Sequence, residues 1–400
     1  MSDYPVILGS GLCTLAGDAP QSALALVETH YNGAAPEPTL TVPAARTEAG
    51  TPALTARAGA AEPSLAELMQ QLGTEPQEDY STPGAQLETL TRPFCLGDSP
   101  EARITALAAR ALNALLTTLP PAALAGNVLI HFAVPARDTH RGRHLDAPHL
   151  TRTLKQLHPA LRNAEVRLQP NTQGVTAQLQ TVLDEWPDAH WDTVLFGGAD
   201  SLLDEPTVLD LIFAERAATT ENPDGVVAGE AAACLALART VPEGTDTPLS
   251  VIAGVGREPE PLVGQGDRKT MHGLPRAAEH ALTAAGISAN DVWAVSVNLL
   301  GDPVNRYEWQ QLQRRLWPPE YGQRLAERLP PLQRPAGTFG DTGAAALPLQ
   351  LALMHARYAH HAQLSRYGFS AAGPSLICEA DDIPMRGVIC LRPNNNGHRA

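Results

Sequence analysis

Short apolar runs of strand length alternate along this chain with segments whose apolar residues recur at helical spacing. Tyr4 to Gly11, Asn127 to Phe132, Thr193 to Phe196 and Val292 to Val297 are runs of the first kind. They lack the polar alternation of a half-exposed sheet, so they suit strands covered on both faces. Between them, Ile104, Leu107, Ala108, Ala111, Leu112 and Leu115 repeat at helical spacing within 101–116, and Pro120-Pro121 end that pattern. Strands alternating with helices in both halves predict an α/β fold with largely buried sheets.

Further helices are predicted over 19–29, 174–185, 303–316 and 343–358, and over 275–285, where Gly286 closes the segment. Val226 to Leu237 reads as the turn Ala228-Gly229-Glu230 followed by an apolar strand. Residues 375–378 and 387–391 read as a closing strand pair. The second half repeats the rhythm of the first, which predicts two similar units, 1–245 and 246–400. The stretch from about 32 to 100 is rich in Pro, Thr, Gly and Ala. Loops and short strands are expected there, as a lid or a dimer-facing insertion.

With 44% hydrophobic residues in 400, the chain can bury a large core, and with only 4% aromatics that core suits close-packed helices on strands. The net charge is -14, and only Lys155 and Lys269 among 29 basic residues are lysines. No basic cluster matches a run of phosphates, so nucleic acid is not expected as a partner. An acidic surface does not seek anionic membrane either, and no apolar run reaches the roughly 18 to 20 residues that span a bilayer. Cys13, Cys95, Cys234, Cys378 and Cys390 are scattered without a CxxC pair. This pattern predicts reduced thiols in a soluble, cytoplasmic protein.

Several segments resemble the β-ketoacyl synthases of the thiolase-like superfamily. Val6 to Asp18 resembles their opening strand and glycine turn. Gly197-Gly198-Ala199-Asp200-Ser201 resembles a "GGA-S" turn, and Gly225 to Ala232, with Gly229 and Glu230, resembles "GF-PGEGAA". Gly301-Asp302-Pro303 resembles a "GDP" step, and Phe339 to Ala345, with Gly340 and Gly343, resembles "GH--GAAG". The segments follow the family's order across most of the chain, outside about 32–100. The resemblance implies a five-layered αβαβα fold of two similar halves that dimerises through its central strands.

Active members of that family use a cysteine at a helix N-terminus, where the helix dipole favours thiolate, and two histidines. Here the "CTSG" position falls on Asn171-Thr172-Gln173-Gly174. Two registers stand open, placing Asn171 or Gln173 at the nucleophile, and neither forms a thioester. Asn298 is the nearest polar residue to the first histidine position, and Asp341 occupies the second. Only Arg334 stands near the place of a family lysine, and Asp381 to Gly387 replace a glycine-rich loop. Cys234 reads as core.

The expected function is therefore a non-catalytic, binding or scaffold subunit without cofactor or metal. Its expected associations are a homodimer or a heterodimer with a thiolase-like paralogue, in the manner of a chain length factor, or a protein client held as by an adaptor. The alternative is a divergent β-ketoacyl synthase or acyltransferase acting on acyl thioesters. His140, His144 and His149 fit no tight ligand spacing and read as a solvated loop. His355, His360 and His361 read as the end of a helix. On the 303–316 helix, Tyr307, Trp309, Leu312 and Leu316 read as core packing rather than a partner-facing stripe.

Overall fold

The computed structural model describes residues 5–14, 16–28, 39–41, 55–59, 99–218, 222, 225–242, 250–260, 271–300, 303–318, 329–365, 367, 371–380 and 383–394. The apolar N-terminal run forms β1 (Val6–Cys13). It is followed in chain order by α1 (Pro20–Glu28), β2 (Thr39–Thr41), β3 (Thr55–Gly59), α2 (Pro100–Thr118), β4 (Val128–Val134), α3 (His140–Arg143) and α4 (Ala147–Gln156). Then come β5 (Glu165–Pro170), α5 (Val175–Glu185), β6 (Thr193–Ser201), α6 (Glu205–Phe213) and β7 (Ala228–Ala238). The second half contributes β8 (Ser250–Pro259), α7 (Gly273–Ala285), β9 (Ala294–Val297), α8 (Pro303–Leu316), β10 (Leu332–Gln333), α9 (Pro335–Phe339), α10 (Ala346–Ser365), β11 (Ser375–Glu379) and β12 (Met385–Pro393).

The strands run β5-β4-β6-β7-β1-β8-β12-β11-β9-β10. Outward from the β1–β8 contact, one order appears twice: β1, β7, β6, β4, β5 on one side and β8, β12, β11, β9, β10 on the other. The senses match as well. The first two pairings on each side are antiparallel and the last two parallel. The halves meet where Val6 pairs with Val251 and Ile7 with Ser250.

Alternation along each strand sorts the core into three slabs. On β4, Leu129 and Ala133 face a central slab, whereas Ile130, Phe132 and Val134 face an outer one. On β12, Ile389 and Leu391 face the same central slab, whereas Val388 and Cys390 face the opposite outer one. Val175, Leu179 and Val182 of α5 fill the centre with Leu347, Leu351, Met354 and Tyr358 of α10. The first outer slab holds Ile104, Leu107, Leu112 and Leu115 of α2. The second holds Leu274, Ala277 and Ala281 of α7 with Trp309 and Leu312 of α8. Helix, sheet, helix, sheet, helix is the five-layered α/β fold expected.

Close approach, rather than turning, explains several of the glycines. Gly197 and Gly198 lie inside β6, and Gly229 with Glu230 inside β7, not in turns. A Cβ on Gly198 would stand 2.2 Å from the Ala344 carbonyl oxygen, and one on Gly229 2.1 Å from that of Phe339. Gly340 and Gly343 do sit at bends, with φ of 75° and 50°. Gly286 closes α7 in the left-handed conformation, φ 65°. Gly301, Asp302, Asp381 and Asp382 lie outside the described residues, as does most of 32–100.

Three other expectations change. The His140–His149 segment is not a loop: Thr139 caps α3 by accepting from the Gly142 N–H, and Asp146 caps α4 by accepting from that of His149. Residues 343–358 divide into a 3₁₀ turn, Gly343–Ala345, and α10, which runs on to Ser365. His355, His360 and His361 are therefore inside a helix, and His355 is buried. Trp309 and Leu312 are core residues, while Tyr307 and Leu316 are half-buried. Among the described residues no helix is long and apolar enough to cross a membrane. Nor is there a group of three or more His, Cys, Asp or Glu that could hold a metal ion.

Candidate functional site

Parallel strands β4, β5 and β6 end side by side, and their C-terminal ends open into a cleft of about 710 Å³. Pro135 and Ala136 follow β4, Asn171 and Thr172 follow β5, and Asp200 and Leu202 stand at the end of β6. Arg141, Leu211, Asp341 and Ile383 bring walls from four other segments. Ligand sites of open α/β sheets favour this place, because the diverging connections leave a crevice there.

The Asn171 N–H donates to the Val134 carbonyl at 2.8 Å, carrying the chain from β5 alongside β4. Its side-chain Oδ1 is buried and has no hydrogen-bond partner among the described residues. Gln173, two residues on, is exposed and does not line the cleft. Of the two registers, the fold brings Asn171 to the cleft. Asp341 is there too: its N–H donates to the Val227 carbonyl at 2.7 Å, and its Oδ1 accepts from the Gly343 N–H at 2.9 Å. Asn298 is 2% exposed just beyond β9 and does not line this cleft.

The start of α5 is closed from within the protein. Glu379, at the end of β11, accepts from the Val175 N–H at 2.6 Å and from the Thr176 N–H at 2.9 Å. A carboxylate there satisfies two orphan amides and complements the positive end of the helix dipole. Glycines make the room: a Cβ on Gly174 or on Gly387 would lie 2.9 Å from Glu379 Oε2. Burial pushes the Glu379 carboxyl above its ordinary pKa, against the opposing pull of the helix amides and Arg386.

Asp200 anchors the facing wall. It is 1% exposed, accepts from Arg141 Nε at 2.7 Å and from the Ser201 N–H at 2.8 Å, and holds the Ala344 N–H at 3.0 Å. Burial works against the Arg141 charge, but Asp200, with Asp341 and Asp204 beyond it, keeps its pKa above the ordinary arginine value. Behind this wall Arg103 grips Glu230 through Nε at 2.9 Å and Nη2 at 2.6 Å, and Ser201 Oγ donates to the same carboxylate at 2.8 Å. Both charged residues are buried.

Among the described residues no cysteine stands near Asn171, and Cys95 lies outside them. Cys13, Cys234, Cys378 and Cys390 are buried free thiols, and none lines the cleft. Burial pushes Cys378 and Cys390 up to about 12, with Cys13 and Cys234 pushed higher still. Sequence reasoning did not single out Glu379 or Arg141. Glu379 ends an apolar strand and Arg141 stands in a polar segment, so neither carries a local signal.

The fold defines a class. Solved structures of similar shape are ketosynthases and chain length factors, and the chain has the thiolase-like fold of the β-ketoacyl synthases. The ishigamide ketosynthase/chain length factor superposes with a TM-score of 0.62 at 18% identity, covering 97% of this chain and 99% of that one. A β-ketoacyl synthase from Burkholderia phymatum STM815 gives 0.62 at 14% identity, covering 98% and 100%. A ketosynthase in complex with its chain length factor, from Xenorhabdus doucetiae, gives 0.61 at 14%, covering 98% of each chain. No protein-family profile matches the sequence, and no curated protein matches it.

Proposed function

We propose that this chain is a non-catalytic subunit of β-ketoacyl synthase shape that binds another protein. The partner we favour is a thiolase-fold ketosynthase, which this chain would complement as a chain length factor does. The observation that carries the reading is the α5 N-terminus. Where the resemblance implies a reactive cysteine, Asn171 stands in the bend and Glu379 occupies the first amides of the helix. A carboxylate in that position opposes the negative charge of a thiolate or oxyanion that catalysis would place there.

Two of the similar structures combine a ketosynthase with a chain length factor, which supports a partner of the same fold. The edge strand β5 pairs with β4 on one side and with no other strand among the described residues, so it offers backbone groups for pairing across an interface. A single strand order repeated around the β1–β8 contact supports dividing the chain at 245/246. Free, buried thiols suit a cytoplasmic setting.

The test is to tag the protein at native level in its own host, purify it gently and identify its companions by mass spectrometry. A ketosynthase with an intact cysteine supports the chain-length-factor reading. An unrelated exported or assembly protein moves the role to an adaptor. The intact mass after incubation with an acyl thioester should be unchanged; a covalent adduct on a cysteine overturns the non-catalytic reading in favour of a divergent synthase or acyltransferase.

A further inference from the structure

Although its chemistry is altered, the cleft has not been filled. It keeps about 710 Å³, and Arg141, Asn171, Asp200 and Asp341 all line it. Arg141 is fixed through Nε to the buried Asp200, and its terminal nitrogens make no hydrogen bond among the described residues. A guanidinium pinned at one edge presents its remaining donors in a fixed fork, the geometry that receives a carboxylate. Asn171 contributes the second element, a buried side-chain oxygen with no partner among the described residues. Such a group costs stability unless something donates to it.

The charges around the cleft narrow the choice. Asp138, Asp210 and Asp341 line it beside Asp200, against Arg141 and Arg216. This balance disfavours a dianion such as phosphate. It tolerates one carboxylate placed on Arg141, provided that the same molecule offers N–H groups to the acceptors around it. An amide suits Asn171 whichever way its own amide is turned, because an amide both donates and accepts. Leu202, Leu211, Ala344 and Ile383 supply apolar wall for a small side chain.

We propose that the cleft binds a monocarboxylate carrying an adjacent amide, the chemistry of an N-acylated amino acid or of a peptide's C-terminal end. The carboxylate sits on the Arg141 fork and the amide on Asn171. No bond is made or broken. This goes beyond the partner-subunit role and is independent of it, since binding is measured on the isolated protein.

Isothermal titration at neutral pH with N-acetylalanine and with trialanine tests it, using acetate and N-methylacetamide as the two separated halves. Saturable binding of N-acetylalanine or trialanine at least about 10-fold tighter than acetate is expected, as one charge-assisted bond plus one amide bond would give. Binding of trialanine alone assigns the site to peptide ends; binding of N-acetylalanine as well admits free acylated amino acids. Arg141→Gln and Asn171→Leu should each weaken binding about 10-fold or more. Arg141→Gln strips Asp200 of its partner, so Asn171→Leu is the variant that decides if the former does not fold. Equal binding of acetate, no binding of either probe, or unchanged binding in Asn171→Leu would overturn the proposal.

Discussion

Glu379 Oε1 lies 2.6 Å from the backbone nitrogen of Val175, so a residue near the C-terminus caps the helix that follows Asn171. The contact ties β11 of the second half to α5 of the first. Glu379→Ala leaves the Val175 and Thr176 amides unpaired in a buried place and should cost about 2–4 kcal/mol, read by urea denaturation. Glu379→Gln keeps the volume but only one acceptor oxygen, with its NH2 set against the second amide, and should recover only part of that loss at neutral pH. Because burial holds the Glu379 carboxyl above its ordinary value of 4.5, the native state keeps that proton longer than the unfolded chain. Its contribution falls as pH rises from 4.5 toward the raised value, and the Gln variant should lack that slope. An Ala variant as stable as the parent would show that the cap is idle.

His355 predicts acid sensitivity. Its Nδ1 lies 2.7 Å from Ser250 Oγ, and burial pushes its pKa from 6.5 down to about 4. The unfolded chain therefore takes up the proton first as the pH falls. Stability contributed by the neutral ring is complete above pH 6.5 and is lost between 6.5 and about 4. The whole loss amounts to about 3 kcal/mol. Denaturant midpoints measured across that range should fall steeply in the parent and less in His355→Gln; parallel slopes would remove the assignment.

The described thiols should be inert. With Cys378 and Cys390 pushed up to about 12 and all four described cysteines buried, almost no thiolate is present at neutral pH. Peptide mapping after brief iodoacetamide treatment should find Cys13, Cys234, Cys378 and Cys390 unmodified in the folded protein and alkylated once urea unfolds it. Modification of any of them at a rate typical of a free thiol would contradict the packing.

Arg103 and Glu230 form a buried, doubly hydrogen-bonded pair beneath the cleft. Arg103→Met strands a buried carboxylate and should cost about 3–5 kcal/mol in urea unfolding. The double variant Arg103→Met with Glu230→Leu should recover part of that loss, since no charge then lies unpaired. A double variant weaker than the sum of the two single changes would mean that Ser201, which also donates to Glu230, depends on the pair.

Local pattern was enough for the elements whose apolar residues face the core in register. Helix α2, β4 and α7 with its closing Gly286 were legible for that reason, and so was the duplicated rhythm of the halves. The edge strand β5 was not, because Glu165, Arg167 and Gln169 interrupt its apolar residues and no run is left to read. Gly197, Gly198 and Gly229 read as turns from their neighbours in sequence, whereas the Ala233 carbonyl and Phe132 ring against Gly197, and the backbone of 339–344 against Gly198 and Gly229, are what demand them.

At the site, the sequence alone determined which chemistry was missing: no cysteine stands at 171 or 173 and no histidine at 341. Only the tertiary structure decided that Asn171 and Asp341 share a cleft while Gln173 and Asn298 do not. It also decided that Glu379, more than 200 residues away in the chain, closes the helix beside them. Composition and periodicity report what a segment does with its immediate neighbours. Which carboxylate meets which amide depends on strand order, and strand order emerges when the two halves pack.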